Sequence, residues 1–345
     1  MHIPITYPHA LPPEPGEAIE VADGIFWIRM PLPFQLNHIN LWLLADGDKW
    51  VIVDTGYGVG ATHDLWLKHF SQTMASREVS RIVVTHYHPD HVGCATWLAE
   101  KTGAAIWMTN GEYLTAHAAA GESAGFDSQQ VEALFISHGL ARTRPDFMAA
   151  QRLRMLSYKR GVPNLPTTFN RLMEHDEITI GHRQWRIITA FGHAPEHACL
   201  YSASDHILIS GDQVLPRITT NVGVMGNQPE ANPLKQFLES ANKFRALAPD
   251  TLVLPSHDRV FRGMHTRLDA LDSHHAERLG VLEAALETPR CAADILPILF
   301  HRPLDDHQLI FAISEAIAHL NYLWLSGRVT RAKDADDVWC FQRAR

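Results

Sequence analysis

The pattern of apolar and polar positions predicts a core of alternating strands and helices. From residue 19 onward, apolar residues alternate with polar ones or form short runs, which predicts strands bounded by turns. Helical spacing interrupts these strands at 60–74, 91–101 and 233–247. Because strands and helices alternate, we expect an α/β protein in which helices cover sheets. The predicted strands lie at 24–30, 37–44, 50–54, 81–85, 104–108, 176–180, 184–190, 198–202, 206–210 and 251–254.

Residues 111–172 break this rhythm with an almost wholly helical stretch, which predicts an insertion. Asp127 precedes a helix that ends at Gly139, and Gln130 stands three positions after Asp127, as in a capping box. A second helix is predicted over 145–161. The insertion interrupts the strands, so we expect it to form a cap on the α/β core.

The C-terminal part of the sequence has a different order of elements. Thr288-Pro289 marks a boundary, because the residue before a proline is biased away from helix. Two helices and then two short strands are predicted after it, at 292–300, 306–326, 328–332 and 338–342. That order is typical of a winged-helix module. We therefore expect an extended lead-in (1–18), a main domain (19–287) and a winged-helix-like domain (288–345).

Winged helices commonly insert a recognition helix into the major groove of DNA. The helix predicted over 306–326 contains no Lys or Arg, and its face with Ile310, Ile313 and Ile317 resembles a core face. We therefore expect this domain to pack against a partner, such as a second copy of the chain in a homo-oligomer, instead of binding DNA.

Composition and charge narrow the class of protein further. The hydrophobic fraction of 46% is typical of globular proteins, and no apolar run approaches the ~18 residues that span a bilayer. The net charge of −8 argues against a general nucleic-acid-binding surface. The cysteines are scattered, and the first twenty residues lack a basic region followed by an apolar one. We expect a soluble, cytoplasmic protein without a membrane partner.

The sequence contains 22 His against 4 Cys, so imidazole is the expected ligand of any bound metal. The strongest candidate follows a predicted strand, in the segment Thr85-His86-Tyr87-His88-Pro89-Asp90-His91. In an extended segment His86 and His88 point to the same side. Asp90 and His91 follow where the chain turns into a helix, so they can face a second point at the ~3.5–4 Å spacing of two-metal sites. The alternative is an N-cap at Asp90 and histidines at the surface.

Three further candidates each follow a predicted strand, where a layered α/β protein presents its ligands. They are His193 in Phe191-Gly192-His193, Asp212 in Ser210-Gly211-Asp212, and His257 in Pro255-Ser256-His257. Alone, each is more often a polar turn residue. Together with the earlier segment they supply the ligands that two divalent cations require.

The sequence resembles the metallo-β-lactamase superfamily over residues 20–260. The H-x-H-x-D-H signature of that family is matched by the segment from His86 to His91, and its later G-H, G-D and S-H elements are matched in the same order. The resemblance implies an αββα four-layer sandwich with the metals at one edge. It also implies a ligand set for two metals: His86, His88 and His193 on one, Asp90, His91 and His257 on the other, and Asp212 bridging both.

The resemblance also suggests roles for residues outside this set. Asp54, in Val53-Asp54-Thr55-Gly56, matches the early D-x-G element of the family, where a carboxylate orients a metal ligand. An ordinary turn after a strand explains Asp54 equally well. His197 follows His193 by four residues and is a candidate for supporting a ligand or facing the substrate.

Two departures from the pattern bear on the subfamily. Zinc β-lactamases usually carry Cys where this chain has Asp212, which disfavours antibiotic hydrolysis. The flavodiiron oxidoreductases replace the second histidine with Glu, whereas this chain keeps His88. The set with Asp212 and His257 looks most like glyoxalase-II-like thioesterases, or like endoribonuclease-like members with a winged-helix tail.

The expected chemistry is hydrolysis. Two divalent cations that share a water lower its pKa towards ~7 and direct hydroxide at a carbonyl or phosphoryl centre. Asp90 is the expected catalytic residue, because it can orient that hydroxide and take its proton. Zinc is expected first, although His and Asp ligands also accept Fe or Mn²⁺. The expected substrate is an ester or thioester of an anionic small molecule. The alternative is an RNA phosphodiester.

A basic run accompanies the predicted insertion. Between residues 140 and 172 the chain carries Arg142, Arg144, Arg152, Arg154, Lys159, Arg160 and Arg171 against a single acid, Asp146. Such a run is often a solvated helix face. The functional hypothesis is that Arg152 and Arg154 recognise the anionic group of the substrate, or an RNA backbone.

Overall fold

Two sheets carry the predicted strands in the computed structural model, which describes residues 3–149 and 158–344. The seven-stranded sheet has the order β1-β2-β3-β4-β5-β6-β7. Its first four strands are antiparallel, and β4 to β7 run parallel to one another. Its strands are β1 Ala18–Ala22, β2 Ile25–Pro31, β3 His38–Asp46, β4 Lys49–Val53, β5 Val79–Val83, β6 Ala105–Thr109 and β7 Asn170–Leu172.

The five-stranded sheet has the order β12-β11-β10-β9-β8. Neighbouring strands from β8 to β11 are antiparallel, and β11 pairs with β12 in parallel. The carboxyl ends of β11 and β12 therefore lie at one edge of this sheet. Its strands are β8 Glu177–Ile180, β9 Arg183–Ala190, β10 His197–Ser202, β11 Ile207–Gly211 and β12 Leu252–Pro255.

The helices lie between and after these strands. They are α1 Gly60–Ser71, α2 Pro89–Val92, α3 Ala95–Thr102, α4 Asn110–Ala120, α5 Ser128–Ser137, α6 Leu140–Thr143, α7 Pro145–Ala149, α8 Pro233–Lys243, α9 Met264–Ala285, α10 Ala292–Leu299 and α11 Asp306–Leu325. None of the helices in the described part of the chain combines the length and the apolar character that crossing a membrane requires.

Alternate residues of each strand point to opposite faces of the seven-stranded sheet. In its central strands both sets of residues are buried, so the sheet is covered on both faces. Trp42 and Val51 pack towards the five-stranded sheet, in a cluster that also holds Ile187 and Leu200. Neighbouring residues on the same strands pack with Trp66 and other residues of the helical layer. The layered α/β fold expected from the sequence pattern is therefore confirmed, and so is the sheet-on-sheet packing that the family resemblance implies.

The chain divides into two compact units. The first unit comprises Met1–Ala120, Tyr158–Thr220 and Ser240–Leu268, and the second comprises Gly121–Ser157, Asn221–Glu239 and Asp269–Arg345. Both sheets belong to the first unit.

The second unit contains α5, α6, α7, α10 and α11, followed by a hairpin of β13 Val329–Lys333 and β14 Trp339–Arg343. The order of two helices and two short strands expected after Thr288-Pro289 is present. Asp127 caps α5, and its carboxylate accepts a hydrogen bond from the N–H of Gln130 at 2.9 Å.

Two residues of the basic run form ion pairs inside the second unit. The guanidinium of Arg142 lies 2.6 Å from an oxygen of Asp334 and 2.7 Å from one of Asp336. Arg144 lies 3.3 Å from Asp306. These two arginines are therefore partners of acidic side chains in their own unit, so they contribute less to any free basic surface than the sequence implied.

The prediction of an almost wholly helical stretch at 111–172 was wrong at its end. Residues 158–160 form a single 3₁₀ turn, and Asn170–Leu172 form β7, which pairs in parallel with β6. Gly161, Pro163 and Pro166 fall between them, and prolines disfavour helix. Of the helix predicted over 145–161, Pro145–Ala149 is helical, while residues 150–157 lie outside the described residues.

The second unit should lose stability in acid. His138 is buried, its Nδ1 donates to the carbonyl of Leu134 at 2.8 Å, and burial lowers its pKa to about 4. The unfolded chain therefore binds the proton first, and the stability held above pH 6.5 is lost as the pH falls towards 4. His138→Gln keeps a hydrogen-bond donor but does not titrate. The free energy of unfolding of this variant should therefore fall by about 2 kcal/mol less than that of the wild type between pH 7.5 and pH 5.

Thermal unfolding across this pH range measures the effect. His301→Gln, which changes an exposed histidine of the same unit, is the matched control and should unfold with the wild-type pH dependence. A wild-type slope in the His138→Gln variant would contradict the prediction.

Candidate metal centre

Three histidines converge at the carboxyl end of β5. His86 and His88 belong to the segment that follows β5, and His193 belongs to the segment between β9 and β10. His86 Nε2 lies 2.9 Å from His88 Nδ1 and 3.2 Å from His193 Nε2. His86 is fully buried, while His88 and His193 are partly exposed. These nitrogens form one group of converging donors.

A second group of donors lies beside the first. Asp90 and His91 belong to α2, and His257 follows β12. Asp90 Oδ2 lies 3.8 Å from His91 Nε2 and 3.6 Å from His257 Nε2. The Asp212 carboxylate lies between the two groups. Its Oδ1 is 3.6 Å from His91 Nε2 and 3.4 Å from His257 Nε2, and its Oδ2 is 3.4 Å from His193 Nε2.

These donors fit a divalent cation in number, spacing and chemistry. Zinc is bound at 2.0–2.2 Å by His nitrogens and carboxylate oxygens, which puts tetrahedral donors about 3.3 Å apart. The distances from His86 Nε2 in the first group, 2.9 and 3.2 Å, lie just below that value, and those from Asp90 Oδ2 in the second, 3.8 and 3.6 Å, lie just above it. His91 Nε2 and Asp212 Oδ1 are buried without a hydrogen-bond partner among the described residues. Buried polar atoms are otherwise hydrogen-bonded, so these two atoms point to a ligand.

A buried carboxylate holds one of these histidines in place. Asp54 follows β4 and is 1% exposed. Its Oδ2 accepts hydrogen bonds from His91 Nδ1 at 2.8 Å and from Thr85 Oγ1 at 2.8 Å, and its Oδ1 accepts from the Thr85 N–H at 2.7 Å. With Nδ1 donating to Asp54, His91 presents Nε2 to the other donors. This is how carboxylates orient histidine ligands in metal sites.

The segment that carries His257 is fixed by backbone contacts. His257 Nδ1 donates to the carbonyl of His38 at 2.9 Å, which directs its Nε2 towards Asp90 and Asp212. The buried amide of Asn40 donates to the carbonyls of Pro255 and Asp258, at 2.8 and 3.1 Å. The start of β3 therefore supports the His257 segment from both sides.

His197 lies beneath the three-histidine group. It is fully buried, its ring stacks on His86 with the centroids 4.7 Å apart, and its Nε2 accepts the N–H of Asp212 at 3.2 Å. Gly211 makes this approach possible, because a Cβ there would overlap the His197 ring and its φ is +52°. His197 thus supports His86 and Asp212 at once.

The charges of the two groups differ. Burial and the neighbouring imidazoles hold the pKa of His86 and of His88 well below the usual range, so both are neutral, the form that binds metal. Burial also lowers the pKa of His91, but the carboxylates of Asp54, Asp90 and Asp212 outweigh it and raise that pKa to about 10. The carboxylates therefore make this side of the centre attractive to positive charge.

The structure brings all seven expected ligands together in the first unit, with Asp54 and His197 in contact with them. Arg152 and Arg154 lie outside the described residues. Sequence reasoning missed Thr85, Asn40 and Glu112, a buried acid in the first turn of α4. The signal for Glu112 was its place just past β6, the parallel neighbour of β5, at the edge where α/β proteins present functional groups.

Comparisons with known proteins agree with this geometry. Residues 35–257 match the family model of the metallo-β-lactamase superfamily, and residues 279–344 match that of the metallo-β-lactamase-like C-terminal domain. A β-lactamase domain protein from Burkholderia ambifaria has a similar structure, with 45% identity, a TM-score of 0.91, and coverage of 99% of this chain and 98% of that chain.

Two curated relatives are similar over much of the chain. An acyl-coenzyme A thioesterase, MBLAC2 of Homo sapiens, is 27% identical over 270 residues, which cover 76% of this chain and 87% of the relative. A hydroxyacylglutathione hydrolase of Idiomarina loihiensis is 24% identical over 225 residues, 65% of this chain and 62% of the relative. The donors at the sheet edge and the match over residues 35–257 lead to one conclusion: the chain belongs to the metallo-β-lactamase superfamily and is a metal-dependent hydrolase.

Proposed function

We propose that this protein is a dinuclear metal-dependent hydrolase that cleaves an ester or thioester of an anionic small molecule. One observation carries the proposal: Asp212 lies between two groups of donors, with one oxygen near His193 and the other near His91 and His257. Such a carboxylate suits a site for two cations, since each of its oxygens serves a different group.

The donor groups assign residues to each position. His86, His88 and His193 would hold one cation, Asp90, His91 and His257 the other, and Asp212 would serve both. When bound, two divalent cations act as Lewis acids that polarise a carbonyl and lower the pKa of a water towards ~7. Nitrogen and carboxylate donors without thiolate accept zinc, iron and manganese, and we propose zinc because both groups are rich in histidine.

Asp90 is the residue that we propose takes the proton of the attacking water. Its side chain is 18% exposed, and its Oδ2 lies within 4 Å of His91 Nε2 and His257 Nε2. A carboxylate at the mouth of the site can hold a proton and also contact the water, whereas the buried Asp54 already accepts three hydrogen bonds.

The curated relatives favour a thioester as the substrate. One is named for acyl-coenzyme A and another for hydroxyacylglutathione. Both compounds contain a thioester bond and also carry negatively charged groups. A recognition element for that charge is therefore required, and we propose Arg152 and Arg154 for this role, since Arg142 and Arg144 are paired with carboxylates.

Metal content and activity test the proposal together. Purified wild-type protein should hold two equivalents of metal and hydrolyse a member of a panel of thioesters, lactones and RNA. His193→Ala should lower the metal content to about one equivalent, and Asp212→Ala should weaken both positions. Asp90→Asn should lower kcat with little change in KM, because its role lies in the transition state.

His182→Ala is the matched control, because His182 is an exposed histidine of the first unit and lies at the opposite end of β9 from His193. Elemental analysis and steady-state kinetics provide the measurements. Less than one equivalent of metal in the wild type, or hydrolysis of RNA alone, would refute the proposal.

Replacing Asp54 by Asn should weaken metal binding without disrupting the fold. The backbone of Asp54 has a φ of +61°, a conformation that Asn tolerates well. Asn has only one oxygen to accept from His91 and Thr85, so the orientation of His91 is lost. Loss of such a partner costs about 10- to 100-fold in metal affinity.

Competition with a chromophoric chelator measures this affinity, and circular dichroism reports the fold. Asp48→Asn, at an exposed turn in the same part of the chain, is the control and should bind metal like the wild type. Equal affinities in all three proteins would show that Asp54 does not support the site.

Arg152 and Arg154 should contribute to substrate binding. Charge reversal at Arg152 and Arg154 should raise KM and leave kcat nearly unchanged, the signature of lost uniform binding. The effect should shrink as salt rises, because exposed charges are screened over about 8 Å at physiological ionic strength. Kinetics at low and high salt check this, with charge reversal of the exposed Arg171 as the control. If the charge-reversal variants of Arg152 and Arg154 have wild-type KM values at both salt levels, the basic run is a solvated helix face and does not bind substrate.

A further inference from the structure

The three-histidine group is assembled from two separate segments of the chain. His86 and His88 follow β5, whereas His193 precedes β10, more than 100 residues later. Their nitrogens lie about 3 Å apart, so both segments must be held at a fixed separation before any ligand binds. The carboxylate of Asp54 accepts its hydrogen bonds from Thr85 and His91, so it orients His91 and leaves the His193 segment to be held by another group.

A buried carboxylate spans these two segments. Glu112, in the first turn of α4, is 0% exposed. Its Oε2 accepts the N–H of Tyr87, which lies between His86 and His88, at 2.9 Å. Its Oε1 accepts the N–H of Glu196 at 2.6 Å. One side chain therefore holds the backbone of both segments that carry the histidines.

The start of α4 is joined to the second segment by further contacts. The Glu196 carboxylate accepts the N–H of Gly111 at 2.6 Å, and the Glu196 carbonyl accepts the hydroxyl of Thr109 at 2.7 Å. Gly111 is in close contact with Glu196, because a Cβ at that position would lie 2.8 Å from the Glu196 Cβ. These contacts leave little freedom for the junction to move.

We propose that Glu112 is a positioning residue for the three-histidine metal position, holding the Tyr87 and Glu196 segments so that His86, His88 and His193 converge. The inference rests on the proposed dinuclear site. Glu112 lies on a different element from all seven donors, and its two hydrogen bonds are to backbone N–H groups. Glu112 therefore acts through the backbone. It fixes the positions of the two segments, and these positions determine where the histidine side chains lie.

These contacts require a side chain with two acceptor oxygens. Each oxygen of Glu112 accepts one backbone N–H group. Burial raises the pKa of Glu112 to about 8, while the N–H groups of Glu196 and Tyr87 lower it. Glutamine has the same shape but one acceptor, so its NH₂ group would face a backbone N–H. Glu112→Gln is accordingly the sharpest change.

The effect should be confined to one metal position. His91 and His257 are held by other groups, Asp54 and the carbonyl of His38. Glu112→Gln should therefore weaken binding of Zn²⁺ at the three-histidine position by at least about 10-fold, the size of a lost supporting contact. The affinity of the other position should change by less than about 3-fold.

Chelator competition with Zn²⁺ on the full-length protein measures both affinities. His193→Ala and His257→Ala, each of which removes one position, assign the two equivalents. Ile180→Val, a buried change on β8 in the same unit, controls for general loss of stability and should leave both affinities unchanged. Thr109→Val removes only the hydroxyl contact to Glu196 and should lower the Zn²⁺ affinity of the three-histidine position by a few-fold. This variant provides the test if Glu112→Gln does not fold.

The outcomes separate this inference from the proposed function. If the wild type binds fewer than two equivalents, the dinuclear site is refuted and the inference falls with it. If the wild type binds two and Glu112→Gln binds both as tightly, or loses both equally, the proposed function stands and the positioning role is refuted. If Glu112→Gln does not fold, wild-type affinities in Thr109→Val likewise refute that role.

Discussion

The donor arrangement begins with the buried carboxylate of Asp54, which fixes the segment that carries four of the seven donors. A buried charge is costly unless hydrogen bonds and an opposite charge compensate it. Asp54 meets this requirement with three donors from a single stretch of chain: the Thr85 N–H, the Thr85 hydroxyl and His91 Nδ1. Since Asp54 directly follows β4 and Thr85 lies two residues past β5, the pairing of these two parallel strands fixes where the signature segment begins. The direction of His91 follows from it.

Most of the donor set could be predicted from the sequence because spacing carries geometric information. Alternation in an extended segment places His86 and His88 on one side, and the turn into α2 carries Asp90 and His91 towards a second point. The later donors each follow a strand of the five-stranded sheet, and these strand ends meet at one edge. Each is an ordinary turn residue on its own, and the order of the family's motifs along the chain is what joins them to the first segment.

Contacts that depend on packing could not be predicted in this way. Nothing in the sequence near Glu112 shows that the backbone of Tyr87 and of Glu196 would meet it, because both lie far away along the chain or across a sheet. The stacking of His197 on His86 requires the left-handed backbone at Gly211. The ion pairs of Arg142 could not be predicted for the same reason, because its partners Asp334 and Asp336 come almost 200 residues later along the chain.

The supporting contacts have a common feature that bears on how this site relates to substrate choice. Glu112, Asn40 and His197 act on backbone N–H or carbonyl groups, so they fix the path of the chain whatever side chains stand on it. All of them, and all seven donors, belong to the first unit. A donor frame held by backbone contacts tolerates changes in residues that do not take part in it. Substrate recognition can therefore diverge through residues outside this frame, while the seven donors keep one geometry.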